Sequence, residues 1–213
     1  MQPYWMQTKI TLGHAYSRAG VAAFTTSTGY GIAKYDNPEE LSVSDRNNIG
    51  YQYTDCPLYW ISVIYLNFAE AKAEMGSLTQ DDLNNSINKL QARAGLPAMT
   101  TTPDADPANN MGVSNLIWEI RRCRRCELIM DNWYRYWDLI RWHQLDKLDS
   151  TKYPNTMLGA NVSNVPDCEE ATKNGYIDAS DAQIRTYEAK HYFYPIPTTQ
   201  LTLNKNMKQN PGW

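Results

Sequence analysis

Charge of one sign is missing from this sequence: 20 basic and 23 acidic residues leave a net charge of -3. Duplex nucleic acid or an anionic lipid surface attracts a protein through a long-range positive field, and none is supplied here. Long apolar runs are missing too, and no stretch approaches the roughly 20 apolar residues of a membrane-spanning helix. The amino terminus, Met1-Gln-Pro-Tyr-Trp-Met-Gln-Thr8, has no basic start, apolar stretch or small-residue cleavage site, so it does not read as a signal peptide. Cysteine is sparse: Cys56, Cys123, Cys126 and Cys168 are too few for a disulfide scaffold in a chain of 213 residues. His14, His143 and His191 stand apart, without the spacing of a metal enzyme. There is no GxSxG, no phosphate-binding glycine loop and no GxGxxG, so no positive signal points to catalysis.

What is present is an ordinary 42% of hydrophobic residues and an unusual aromatic balance, 15 Tyr and 7 Trp against 3 Phe. Tyr and Trp join a flat apolar face to a polar handle, which suits half-wet surfaces and sugar faces as well as cores. Residues 1–59 are irregular, rich in Gly, Ser, Thr, Pro and aromatics, with short strands expected between Ala22 and Tyr35. So long a structureless opening is uncommon in a compact domain, and the expectation is that partners of this segment lie upstream of Met1 in a longer protein. From Trp60 the pattern becomes helical. Ile61, Ile64, Tyr65, Phe68, Ala69, Lys72 and Met75 repeat at helical spacing, and Gly76 ends the helix. Thr79 and Asp82 form a capping box for a second helix with a buried stripe of Leu83, Ile87, Leu90 and Ala94, ending at Gly95-Leu-Pro97. The pair makes a helical hairpin of the tetratricopeptide kind, with no second copy at that period. One such unit cannot bury its own face.

A loop over residues 98–112 follows. Ser114 then caps a third helix to about Met130, with Leu116, Ile117, Ile120, Cys123 and Leu128 inward. A corner at Asn132–Tyr134 leads to a fourth helix carrying Tyr136, Trp137, Leu139, Ile140 and Trp142. Residues 150–190 read as irregular, with a turn of helix near Ala179–Ile184. His191-Tyr-Phe-Tyr-Pro-Ile-Pro197 reads as an extended run because its prolines forbid helix. The tail from Leu203 is polar and turn-like. Cys123-Arg-Arg-Cys126 lies inside a helical pattern, where two cysteines are more often core and surface than zinc ligands or a redox pair. The arginines at 121, 122, 124 and 125 sit among Glu119, Glu127 and Asp131. An ion-pair network between the third and fourth helices is expected, with Arg124–Glu127 and Arg135–Asp138 as pairs three residues apart.

Three blocks together resemble the carboxyl-terminal part of the SusD/RagB family of Bacteroidetes outer-membrane lipoproteins. They are Ile64-Tyr-Leu-Asn-Phe-Ala-Glu-Ala-Lys-Ala-Glu-Met-Gly76 with Ile87-Asn-Lys-Leu-Gln-Ala-Arg-Ala-Gly-Leu-Pro97; Arg124-Arg-Cys-Glu-Leu128 with Arg135-Tyr-Trp-Asp-Leu-Ile-Arg-Trp142; and Tyr194-Pro-Ile-Pro197 with Gln209-Asn-Pro-Gly-Trp213. Gly29-Tyr-Gly-Ile-Ala-Lys-Tyr35 is similar to a further family segment. Cys123 departs from the acidic residue usual before the Arg pair, Asn132-Trp133 from the usual Glu-Gly, and Trp213 from the usual Tyr.

The resemblance implies a mainly α, SusD-like fold: a tetratricopeptide-like hairpin, loop-rich regions and short strands. It implies a helical carboxyl-terminal domain over residues 60–213, beside a loop-rich segment 1–59 that forms part of a ligand face. It implies a non-catalytic glycan-binding protein without cofactor or metal. Such a protein sits on the outer membrane through a lipid anchor absent from this chain and works with a SusC-like TonB-dependent transporter. Arg124, Glu127, Arg135, Asp138, Arg141, Pro195 and Pro197 are then scaffold residues. Sugar contact needs aromatic faces rimmed by planar polar groups. That makes Tyr4, Trp5, Tyr16 and Tyr30, with Arg46, Asn47 and Asn48, the candidate ligand residues. The rival expectation is a tetratricopeptide-like scaffold for a peptide or protein, without a sugar site.

Overall fold

The computed structural model describes Thr28, Tyr30 and residues 58–131, 133–164, 172–180 and 183–213. It is mainly helical and divides into two units, the first holding residues 58–131 and 133–135, the second Thr28, Tyr30 and the described residues from 136 onward.

The first unit is built on the expected hairpin. Helix α1 (Ile61–Glu74) stops as a Schellman turn, in which Gly76 at φ 66° lets its own N–H reach Ala73 O and the Ser77 N–H reach Lys72 O. The capping box is present: Asp82 Oδ2 accepts from the Thr79 N–H at 2.9 Å, and Thr79 Oγ1 accepts from the Asp82 N–H at 3.1 Å. Lys72 closes on the same carboxylate at 3.1 Å. The expected second helix is two, α2 (Gln80–Asn84) and α3 (Ile87–Arg93). Ser86 Oγ donates to Asp82 O at 2.6 Å and Asn85 Nδ2 to Asp81 O at 3.0 Å, so side chains occupy carbonyls of the preceding turn where the chain breaks. Its stripe of Leu83, Ile87, Leu90 and Ala94 is buried as expected.

Helix α4 (Asn115–Glu127) starts on Ser114, whose Oγ accepts from the Ile117 N–H, and ends a residue before Leu128, short of the expected Met130. The core of this unit gathers Leu66, Ala69, Leu83, Ile87, Leu90, Met99, Ile120 and Leu128. The apolar residues of α1 divide between two faces. Ile61, Ile64, Phe68 and Met75 face outward, Ile64 being 60% exposed, while Ser62, Leu66, Ala69 and Glu70 face the core. A helix that is apolar nearly all round offers two stripes of equal period. The partner decides between them: α4 brings Arg121, buried, to Glu70 at 3.2 Å and Glu74 at 3.0 Å.

Helix α5 (Tyr134–Arg141) belongs to the second unit from Tyr136 on. Asp138, Leu139 and Trp142 are buried, and the helix ends with His143 at φ 53°, its N–H on Ile140 O and the Gln144 N–H on Leu139 O. A 3-10 turn follows at Leu145–Leu148. Within the stretch expected to be irregular lies a three-stranded antiparallel sheet: β1 (Leu158–Asn161), β2 (Thr172–Lys173) and β3 (Tyr176–Asp178) in the order β1-β3-β2. Leu158 faces Asp178 and Lys173 faces Tyr176, with a bulge inside β1. The hairpin between β2 and β3 turns on Asn174 and Gly175, both at positive φ, which is the Asn-Gly signal of a type I′ turn. Gly159 in β1 permits a close approach, since a Cβ there would lie 2.3 Å from Thr28 O, the oxygen that accepts from the Ala160 N–H. The helical turn expected near Ala179–Ile184 is absent among the described residues of that stretch. His191 and Tyr192 end a 3-10 turn (Ala189–Tyr192) rather than starting the extended run, and a short helix, α6 (Thr198–Leu203), ends at the residue where the polar tail was expected to begin. Pro197 fixes the φ of its N-cap at -53°.

Candidate functional site

The arginines of α4 bind acidic and polar partners, the expected neighbour Glu119 for Arg122 and more distant residues for Arg121 and Arg124. Glu127 pairs with Arg93 of α3 at 2.6 Å, not with Arg124. Arg124 donates to Asn67 Oδ1 at 2.8 Å and lies 5.7 Å from the Tyr134 ring, and Arg122 binds Glu119 through two parallel bonds. The network joins α4 to α1 and α3, and the Arg124–Tyr134 contact carries it to the start of α5. Arg141 Nε holds the buried Asp138 at 2.9 Å and its guanidinium covers the Trp142 ring at 4.6 Å, while Arg135 is half-buried.

The other motif residues, Pro195 and Pro197, lie in an extended strap clasped by the last block of the sequence. Gln209 acts on Ile196 as a neighbouring strand would, its Oε1 accepting from the Ile196 N–H at 2.8 Å and its Nε2 donating to Ile196 O at 2.9 Å. Asn210 Nδ2 donates to Tyr194 O at 2.7 Å, and Trp213 Nε1 donates to the carbonyls of Lys190 and Phe193 at 3.1 and 3.0 Å. The Tyr-Pro-Ile-Pro and Gln-Asn-Pro-Gly-Trp motifs are thus two halves of one clasp. The first unit uses the same device on its loop: Asn88 Oδ1 accepts from the Met99 N–H at 2.7 Å, and its Nδ2 donates to Met99 O at 3.1 Å.

Tyr30 is exposed, and its N–H reaches Thr28 Oγ1 at 3.3 Å. Tyr4, Trp5, Tyr16, Arg46, Asn47 and Asn48 lie outside the described residues. Among the described residues, two clefts are open to a ligand. One in the first unit, about 550 Å³, is walled by Met99, Thr100, Thr102, Asp104 and the Glu119–Arg122 pair. The other in the second unit, about 210 Å³, is walled by Ser150, Thr151, Lys173, Asp178, Ser180 and Gln183. Both offer hydroxyls and charged groups suited to polar ligands, and neither has an aromatic floor. Beside the second runs a polar knot at Asp149. It accepts from Thr151 Oγ1 at 2.5 Å and from the N–H groups of Thr151 and Tyr187 at 2.8 and 3.0 Å. The Thr151 hydroxyl first, and then the Tyr187 N–H, hold its carboxyl down to about 2.

Aromatic rings of the second unit meet in two sets. Tyr187 meets Tyr192 edge-on, His191 meets Trp213 at 5.8 Å, and Tyr136 meets Trp137 at 5.6 Å and 67°. Burial, then the Tyr192 hydroxyl, pushes Tyr187 up to about 12. The Cys123 thiol is likewise pushed up to about 12, by burial first and by Glu127 next, while Cys126 is exposed. A thiol so raised is a poor nucleophile and a poor metal ligand. No cluster of three His, Cys, Asp or Glu able to hold a metal ion occurs among the described residues; Cys56, Cys168 and His14 lie outside them.

Among the described residues the chain is a mainly α protein, with a helical hairpin in the first unit, a strap-clasped and aromatic-rich second unit, and a polar cleft in each. The chain matches the SusD family over residues 3–213 and belongs to it. Its fold is similar to that of a SusD-like protein of Bacteroides fragilis, with 23% identity and a TM-score of 0.57, covering 88% of this chain and 31% of that one. It is similar also to a SusD-like carbohydrate-binding protein of Bacteroides fragilis, with 22% identity and a TM-score of 0.61, covering 86% and 34%. The chain thus spans about a third of the length of these solved structures. No curated protein matches it.

Proposed function

We propose that this protein is a non-catalytic glycan-binding component of the cell surface, which captures polysaccharide or oligosaccharide and delivers it to a SusC-like TonB-dependent transporter. Membership of the SusD family over nearly the whole chain carries this reading. The carbohydrate-binding relative of like fold supports it. A lipid anchor would tether such a protein to the outer membrane, and no helix among the described residues is long and apolar enough to cross one. Residues 1–59 supply part of the ligand face in this reading, with Tyr4, Trp5, Tyr16 and Tyr30 as stacking groups and Arg46, Asn47 and Asn48 as hydroxyl partners.

The test is affinity electrophoresis of the purified chain through gels cast with a panel of polysaccharides, with Trp5→Ala and Tyr30→Ala alongside. Retardation by one polysaccharide, lost in a variant, is the expected result. Migration of folded protein unchanged by every polysaccharide would sink the proposal. It would favour a tetratricopeptide-like scaffold for a protein partner, the reading supported by the outward row of Ile61, Ile64 and Phe68.

A further inference from the structure

We infer that Asn174 is a site of spontaneous covalent modification, where the Gly175 nitrogen attacks the side-chain amide and the asparagine becomes aspartate or isoaspartate. The inference is independent of the glycan-capture reading. It rests on the tip of the β2–β3 hairpin. Asn174 is exposed, and its side-chain amide has no hydrogen-bond partner among the described residues. The Gly175 N–H, the nucleophile that such a step needs, has none among them either. A type I′ turn bonds the residues that flank its central pair, which leaves that N–H over. Glycine also carries no Cβ to shield its nitrogen.

The step balances without a cofactor. The Gly175 nitrogen bonds to Asn174 Cγ and gives up its proton. The Cγ–Nδ2 bond breaks, and the amide nitrogen leaves with that proton as ammonia. Water then opens the cyclic imide. Opening at one carbonyl leaves aspartate; opening at the other leaves isoaspartate, whose main chain runs through the side-chain carbon.

Ring closure needs rotation about the Asn174 Cα–C bond. The strands that hold the turn are two and three residues long, so opening the tip breaks few ladder bonds. Asn85, which also precedes a small residue, makes the contrast. Its Nδ2 donates to Asp81 O at 3.0 Å, and the Ser86 N–H is held by Leu83 O at 3.2 Å. Both reacting groups are occupied there.

The turn at Asn174 is packed too tightly for the longer backbone of isoaspartate. Gly175 O accepts from the Val162 N–H at 2.8 Å, and a Cβ on Gly175 would lie 2.1 Å from Ser163 Oγ. The modified hairpin therefore comes away from Val162.

The experiment is incubation of the full folded chain in warm, mildly alkaline buffer, beside Asn174→Gly and a wild-type sample in urea. Peptide mass mapping and enzymatic methylation of isoaspartate follow the product over time. In the folded chain, conversion at Asn174 is expected about tenfold faster than at Asn85, the factor set by the one or two hydrogen bonds that must first break there. Asn174→Gly keeps a dipeptide suited to the turn and should lose the isoaspartate label. Amide protection at Val162 should fall as the label grows. If Asn174 keeps its amide in the folded chain and converts only in urea, the turn protects it and the inference is overturned. Conversion with Val162 protection unchanged would overturn the opening of the hairpin.

Discussion

Among the described residues, eight apolar side chains from four helices and the segments that follow them close against one another in the first unit; in the second the sheet's own cluster is three, Ala160, Val162 and Ile177. The first unit is held by burial, at roughly 25 cal/mol per Å² of apolar surface. The second relies more on side chains that bond to backbone far away in sequence: Gln209 to Ile196, Trp213 to Lys190 and Phe193, Asp149 to Tyr187. Helices satisfy their own peptides, so their side chains are left to pack. A loop-rich unit must find partners for its peptides elsewhere, and each unpaired buried group costs about 1–3 kcal/mol.

The comparison can be broken hardest at Arg121. Arg121→Ala takes the guanidinium from the buried Glu70 and is expected to cost about 3–5 kcal/mol in urea denaturation. A loss under about 1 kcal/mol would mean that water reaches Glu70. Next comes a matched pair of truncations. Ile120→Ala in the fully buried core should cost about 2–5 kcal/mol. Ile177→Ala in the three-residue cluster should fall at the low end of that range, because a thin core relaxes around a void more readily. Equal losses would erase the contrast between the units.

Smaller, and directed at the second unit, is Gln209→Ala. It removes both bonds to Ile196 and is expected to cost about 1–3 kcal/mol, with faster amide exchange at Ile196 and earlier proteolysis of the tail. Thr79→Ala in the first unit removes the cap of α2, for about 1 kcal/mol. The least visible effect near neutrality belongs to Asp149. Its folded pKa, about 2, lies below the ordinary 3.8, so its contribution is complete above 3.8 and is lost as pH falls from there toward 2. The Tyr187 and Lys152 amides should lose protection over that window while those of α4 do not. Asp149→Asn should remove the pH dependence of both.

The sequence by itself determined whatever depends on neighbours within about five residues. Gly76 and Gly95 end helices at positive φ, Thr79 and Ser114 cap them, and the stripe from Leu83 to Ala94 faces inward. Cap, turn and amphipathic period are local physics, repeated without regard to what packs above them. The Asn174-Gly175 hairpin was equally local and its dipeptide signal was there to be read; it was missed because strands of two and three residues carry almost no alternation. The family was also legible in its three blocks, all of which lie within residues 3–213 that match the SusD family. Only the tertiary structure decided which stripe of α1 is buried, because Leu66 and Ile64 have equal claims until Arg121 arrives from α4. It likewise gave Glu127 to Arg93, 34 residues away, over the nearby Arg124. It set Asn88 and Gln209 to clasp loops, and placed Trp137 beside the Tyr136–Tyr194 pair. An ion pair or an amide has no preferred sequence separation, so its partner is chosen by the packing that brings distant segments together.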